Sequence, residues 1–145
     1  MVQGGVLQSD YGTYFDFPNG SDTAPTAVAS GTADNTAVYF QTFGQGPADV
    51  TQAGGLSPYG IMGLGGNVFE WEETSFDLNN SSFSSDRGFR GGVWVNDSSG
   101  VLSSSTRLNS FPANEGDAVG FRVASLSSSA ASVPEPGTFG VLSLV

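Results

Sequence analysis

Cysteine, histidine and lysine are all missing from the 145 residues. Without the first two, the chain cannot assemble a tetrahedral zinc centre, a thiol nucleophile or a Ser-His-Asp relay; without lysine it cannot form a Schiff base. Positive charge is nearly as scarce. Four arginines (Arg87, Arg90, Arg107 and Arg122) face 14 acidic residues, giving a net charge of -10 and a pI near 4.1. Such a surface repels a phosphate backbone, so nucleic acid is not expected as a partner. The lack of cysteine leaves the redox compartment open. What remains is oxygen chemistry: Asp, Glu, Ser, Thr, Tyr and backbone carbonyls, a donor set suited to a hard cation such as calcium.

Long apolar runs are lacking too. The opening "MVQGGVLQSDYGTYFDF" has neither a basic n-region nor an apolar h-region and does not read as a signal peptide. The closing "VPEPGTFGVLSLV" carries an apolar run about half the ~20 residues that span a bilayer. Helical periodicity is equally thin. Glycine, by contrast, takes 21 positions, and the apolar residues cluster in short stretches with glycine at their edges.

Four stretches read as strands: "AVYFQTF" (37–43), "NVFEWEE" (67–73), "GFRGGVWV" (88–95) and "VGFRVASL" (119–126). Residues 18–35, rich in Pro, Gly, Ser, Asp and Asn, read as turn and loop. The polar segments 74–86 and 95–105 read as surface loops beside aromatic-bearing strands. The length suits one domain. A small twisted antiparallel β core with long loops, in the α+β class, is the expected architecture. The organisation expected is a domain over 1–125, a Ser/Ala linker over 126–132 and a distinct tail over 133–145.

The most pointed feature is Glu70, set between Phe69 and Trp71 in "GGNVFEWEETSFD". Strand alternation places Phe69 and Trp71 on one face and Val68, Glu70 and Glu72 on the other. The carboxylate is therefore not forced into the aromatic layer. General acid work is the weakest role for it, since no second catalytic group with a matched environment can be named. Three accounts stay open: a calcium-type oxygen site, an ion pair with Arg90 or Arg122, and, behind these two, a carboxylate that only faces solvent. The glycines Gly91 and Gly92 read as a bulge or a tight packing point, and Trp71 and Trp94 as core aromatics.

Three ordered blocks carry a family resemblance. "GNVFEW" (66–71), "RGGVW" (90–94) and "GFR" (120–122), within a stretch running from about Ser57 to Ser125, resemble the formylglycine-generating enzyme (sulfatase-modifying factor) family. The resemblance implies a C-type-lectin-like fold with little regular secondary structure, here shortened on its N-terminal side. It also implies calcium bound by Glu70, by the backbone carbonyls of Gly66 and Val68, and by a side chain at a position that is Gly63 here. This calcium site is the expectation taken forward, and an ion pair through Arg90 or Arg122 is its alternative. Family enzymes oxidise a substrate cysteine with copper held by two cysteines lying between the second and third blocks. The corresponding "VNDSSGVLSSSTRL" (95–108) has none, and hydroxyls do not replace thiolates for copper(I). Copper and oxidase activity are therefore not expected. A surface ligand, carbohydrate or protein, or a structural role is expected instead. The tail resembles the start of a PEP-CTERM sorting signal through Pro134-Glu135-Pro136, which implies an exported protein held at the cell surface, touching membrane only through that segment.

Overall fold

The computed structural model describes residues 2–3, 6–7, 14–80, 82 and 84–122. The expected linker over 126–132, the tail over 133–145 and the last part of the expected strand 119–126 lie outside them. Among the described residues eight short strands run in chain order: β1 (Val2–Gln3), β2 (Val6–Leu7), β3 (Thr26–Val28), β4 (Thr36–Val38), β5 (Phe69–Ser75), β6 (Arg87–Arg90), β7 (Leu108–Ser110) and β8 (Val119–Gly120). The helices among the described residues are two 3₁₀ turns, Val50–Gln52 and Ser99–Leu102. Each is started by a side-chain oxygen, of Asp49 and Ser98, that accepts a backbone N–H two residues on.

The main sheet has the order β7-β6-β5-β8. β5, β6 and β7 are antiparallel neighbours, but β8 runs parallel to β5, with Phe69 opposite Val119 and Glu70 opposite Gly120. The core sheet is therefore mixed, not the antiparallel one expected. Direction is free here because the path from β5 to β8 passes through two other strands, long enough to bring the chain back either way. A second pair, β3 with β4, is also parallel, and it lies partly within the stretch 18–35 read as loop.

Two strands are shorter than their apolar runs. The run from Ala37 leaves the sheet after Val38, and Phe40 takes a left-handed φ of 64°. Its N–H still reaches the Asn96 carbonyl, and that of Gln41 the Trp94 carbonyl. The run from Gly88 stops at Arg90 because Gly91 and Gly92 turn the backbone with φ of 94° and 78°. A Cβ on Gly92 would press on the Val101 and Leu102 side chains at 3.1–3.3 Å. This double-glycine turn sends Val93 and Trp94 inward.

Two small apolar clusters form the core. Val38, Val93 and Trp94 are buried together, with Val28, Ala48, Val68, Phe69, Val95 and Ala118 around them. Ala37, Tyr39 and Leu102 form the other, against Phe17, Ala27 and Val101. Tyr39 donates its hydroxyl to the Pro25 carbonyl at 2.7 Å, so the buried ring keeps its polar tip satisfied. Leu102 belongs to the segment 95–105 that reads as a polar surface loop; it is 1 % exposed and pins that segment down.

Candidate functional site

β5 alternates across the sheet. Phe69 and Trp71 both meet Phe89 of β6 edge-on, with ring centroids 4.8 Å and 5.5 Å apart. Glu70 and Glu72 therefore project to the opposite face, where the arginines gather. Cross-strand register sets Glu70 opposite Arg90, yet the two do not pair. Arg90 reaches diagonally to Glu72, with Nε 2.5 Å from Oε1. Arg107 takes the other oxygen of Glu72, at 2.6 Å.

Glu72 is thus the centre of an Arg-Glu-Arg triad. Gly88 makes room for it: a Cβ there would strike the Glu72 carboxylate and lie 2.7 Å from Arg107 Nε and Nη2. Burial pushes the Glu72 carboxyl pKa up. The hydrogen bonds and charges of Arg107 and Arg90 outweigh burial and hold it below the ordinary glutamate value. Arg107, with its side chain only 15 % exposed, also donates to the carbonyls of Phe76, Thr74 and Ser75 and lies 5.2 Å from the Phe76 ring centroid. Arg90 donates to the carbonyls of Ser104 and Thr106. The triad fastens the serine-rich segment and the bend after β5 onto the sheet.

Arg87 and Arg122 work in the same manner. Arg87 donates to the fully buried Ser75 hydroxyl at 2.6 Å and to the Ser85 carbonyl. Arg122 lies on Glu70: its Nε is 2.9 Å from Oε1 and 3.2 Å from Oε2, and its Nη2 also donates to Oε1. Its Nη1 donates to the Met62 carbonyl at 2.9 Å. Glu70 therefore joins β5 to the residues after β8 and to the 62–63 turn.

Gly66 and Asn67 form the hinge of the block. Gly66 approaches Val38 so closely that a Cβ would overlap the Val38 carbonyl oxygen, and its φ of 80° suits glycine alone. Asn67 is also left-handed, at 66°, a conformation asparagine tolerates better than most residues. It is buried and tied on every side. Its N–H donates to the Val38 carbonyl, its carbonyl accepts from Trp94 N–H, and its side chain accepts from Ala48 N–H and donates to the Ala48 carbonyl. Val68 packs against the Trp94 cluster. Gly66, Val68 and Glu70 thus stay adjacent along one segment.

Of the residues singled out from sequence, the structure joins Glu70 with Arg122 and Arg90 with Glu72. Reading the sequence passed over Arg107, Ser75 and Asn67. The only signal for Arg107 was that it is one of four arginines against so many carboxylates. The calcium ligand set does not fit what stands at Glu70, because both carboxylate oxygens accept from a guanidinium. Gly63, with a φ of 70°, offers no side chain, and the place of its Cβ lies 3.6 Å from Arg122 Nη2. Among the described residues no three acidic side chains gather to hold a metal.

A shallow cleft is lined by Pro18, Asn19, Ala37, Ser57, Ile61 and Leu64. Its interior volume is about 20 Å³, room for about one water molecule rather than for a small-molecule ligand.

A glycine-turned, loop-rich domain around a four-stranded mixed sheet, with Glu70 and Glu72 of β5 clasped by arginines, is the class of structure the fold and site define. Residues 8–126 match the sulfatase-modifying factor enzyme 1-like domain, and the chain belongs to that family. No curated protein and no solved structure matches it.

Proposed function

We propose that this chain is a non-catalytic member of its family, a domain of an exported bacterial surface protein that binds a carbohydrate or protein ligand or serves as structure. One observation carries the reading. Where the resembled enzymes place two copper-binding cysteines, this chain has Val95 to Leu108, without a thiol and committed to packing. Leu102 is in the core, the carbonyls of Ser104 and Thr106 are held by Arg90, and the Ser104 hydroxyl donates to the Phe15 carbonyl. Hydroxyls and amides are hard ligands, and copper(I) chemistry needs soft ones. The sparse strands and long fastened loops support a C-type-lectin-like arrangement. Export and surface retention rest on Pro134-Glu135-Pro136 behind a Ser/Ala segment. The acidic surface speaks against nucleic acid as the ligand.

The test is direct. The protein is incubated with copper, oxygen and a cysteine-containing sulfatase peptide, and the peptide mass is followed. An unchanged peptide is expected; formylglycine above the no-protein control would overturn the reading.

A further inference from the structure

We infer that the Arg122 guanidinium replaces the divalent cation expected at Glu70, so that this domain is fastened without calcium and becomes responsive to calcium only when Arg122 is removed. The expected cation would bridge the Glu70 carboxylate to the turn around position 63. The guanidinium makes that bridge itself, through Nε and Nη2 to Glu70 and through Nη1 to the Met62 carbonyl. Its Nη2 points to where a side-chain ligand on Gly63 would begin, 3.6 Å from that Cβ position.

Charge and ligand number agree. One carboxylate is balanced by one guanidinium, whereas a divalent ion at the same place would stand beside a fixed positive charge and be repelled by it. Calcium takes 6–8 oxygens. Here one side-chain ligand is absent and both oxygens of the other already accept hydrogen bonds. A planar guanidinium is suited to this position because its fork holds a carboxylate and still has a donor left for a carbonyl.

The experiment is a set of thermal melts on the full chain in ~10 mM calcium and in chelator, for wild type, Glu70→Gln, Arg122→Ala, and the double variant Glu70→Gln with Arg122→Ala. Wild type should melt at the same temperature in both. Arg122→Ala should melt lower than wild type in chelator and recover about 4 °C in calcium, the shift expected for a weak site with a Kd of ~1 mM. The double variant should show no recovery. A calcium-dependent rise in wild type that Glu70→Gln abolishes would overturn the inference, because a metal would then displace the guanidinium. An Arg122→Ala protein indifferent to calcium would overturn it as well, reducing the pair to an ordinary ion pair. Should Arg122→Ala fail to fold in chelator, expression in calcium against chelator, together with the wild-type melts, keeps both outcomes readable.

Discussion

Replacing Arg107 by alanine should cost more stability than replacing Arg90 or Arg87. Its side chain has four hydrogen-bond acceptors (Glu72 and the carbonyls of Thr74, Ser75 and Phe76) and the smallest exposure of the three ion-paired arginines. A hydrogen bond to a charged group contributes about 1.5–3 kcal/mol, and breaking a fully buried ion pair costs about 3–5 kcal/mol. Two facts reduce the sum. Glu72 is 27 % exposed and keeps Arg90, so its charge is not left alone, and contacts made by one group do not add. A loss of about 3 kcal/mol is the reasonable figure, or ~10 °C in melting temperature for a domain of this size. Arg90, at 39 % exposure, is screened by solvent and should cost about 1–2 kcal/mol. Arg87, which no carboxylate pairs among the described residues, should cost about 1 kcal/mol. Melts of the three alanine variants give the order. Combining Arg107→Ala with Glu72→Gln should recover part of the loss, since the neutral amide no longer needs its second cation. Equal losses of a degree or two at all three positions would refute the reasoning.

Acid should act through the same triad. Because the folded-state pKa of Glu72 is depressed, its contribution is present above the ordinary glutamate value near ~4.3 and is lost as pH falls through the lower folded value. Wild type should therefore lose melting temperature more steeply than Glu72→Gln between about pH 5 and pH 3; parallel curves would remove Glu72 as a cause. At the hinge, Asn67→Gly should keep the left-handed backbone and lose only the two bonds to Ala48, whereas Asn67→Ala should lose both. Chemical denaturation should place the alanine variant about 1 kcal/mol below the glycine one, and an alanine variant as stable as the glycine one would show that backbone conformation is not what this position demands.

How much of this was legible in the sequence follows from what sequence patterns encode. Alternation in "NVFEWEE" placed Phe69 and Trp71 together and turned Glu70 and Glu72 the other way, because a strand's period is a local property. Neither β3 nor β7 announced itself. Thr26–Val28 becomes a strand only by pairing with Thr36–Val38, and Leu108–Ser110 only by lying along β6, so both are made by partners rather than by composition. Strand direction was hidden for the same reason, and β8 came out parallel. Arg107 and Leu102 were overlooked because serines surround them, although a single leucine is enough to bury one turn. Pairing was the least legible: residues opposite in register, such as Glu70 and Arg90, do not join when a long side chain finds a better partner one step along the face.

The partners fastened by these arginines and serines are far apart along the chain. Arg122 and Glu70 are separated by 52 positions, Arg122 and Met62 by 60, and Ser104 and Phe15 by 89. Closing such loops costs entropy before any contact is gained, so folding should be slow for the size, in the range of milliseconds to seconds, as for other domains dominated by distant pairings. Synthesis runs in one direction, and the edge of β5 that receives Val119–Gly120 stays uncovered until those residues have been made. During that interval Phe69 and its neighbours form an open strand edge, the kind that recruits other chains. A nascent chain held extended until residue 122 is available would avoid the hazard, and one released earlier would meet it.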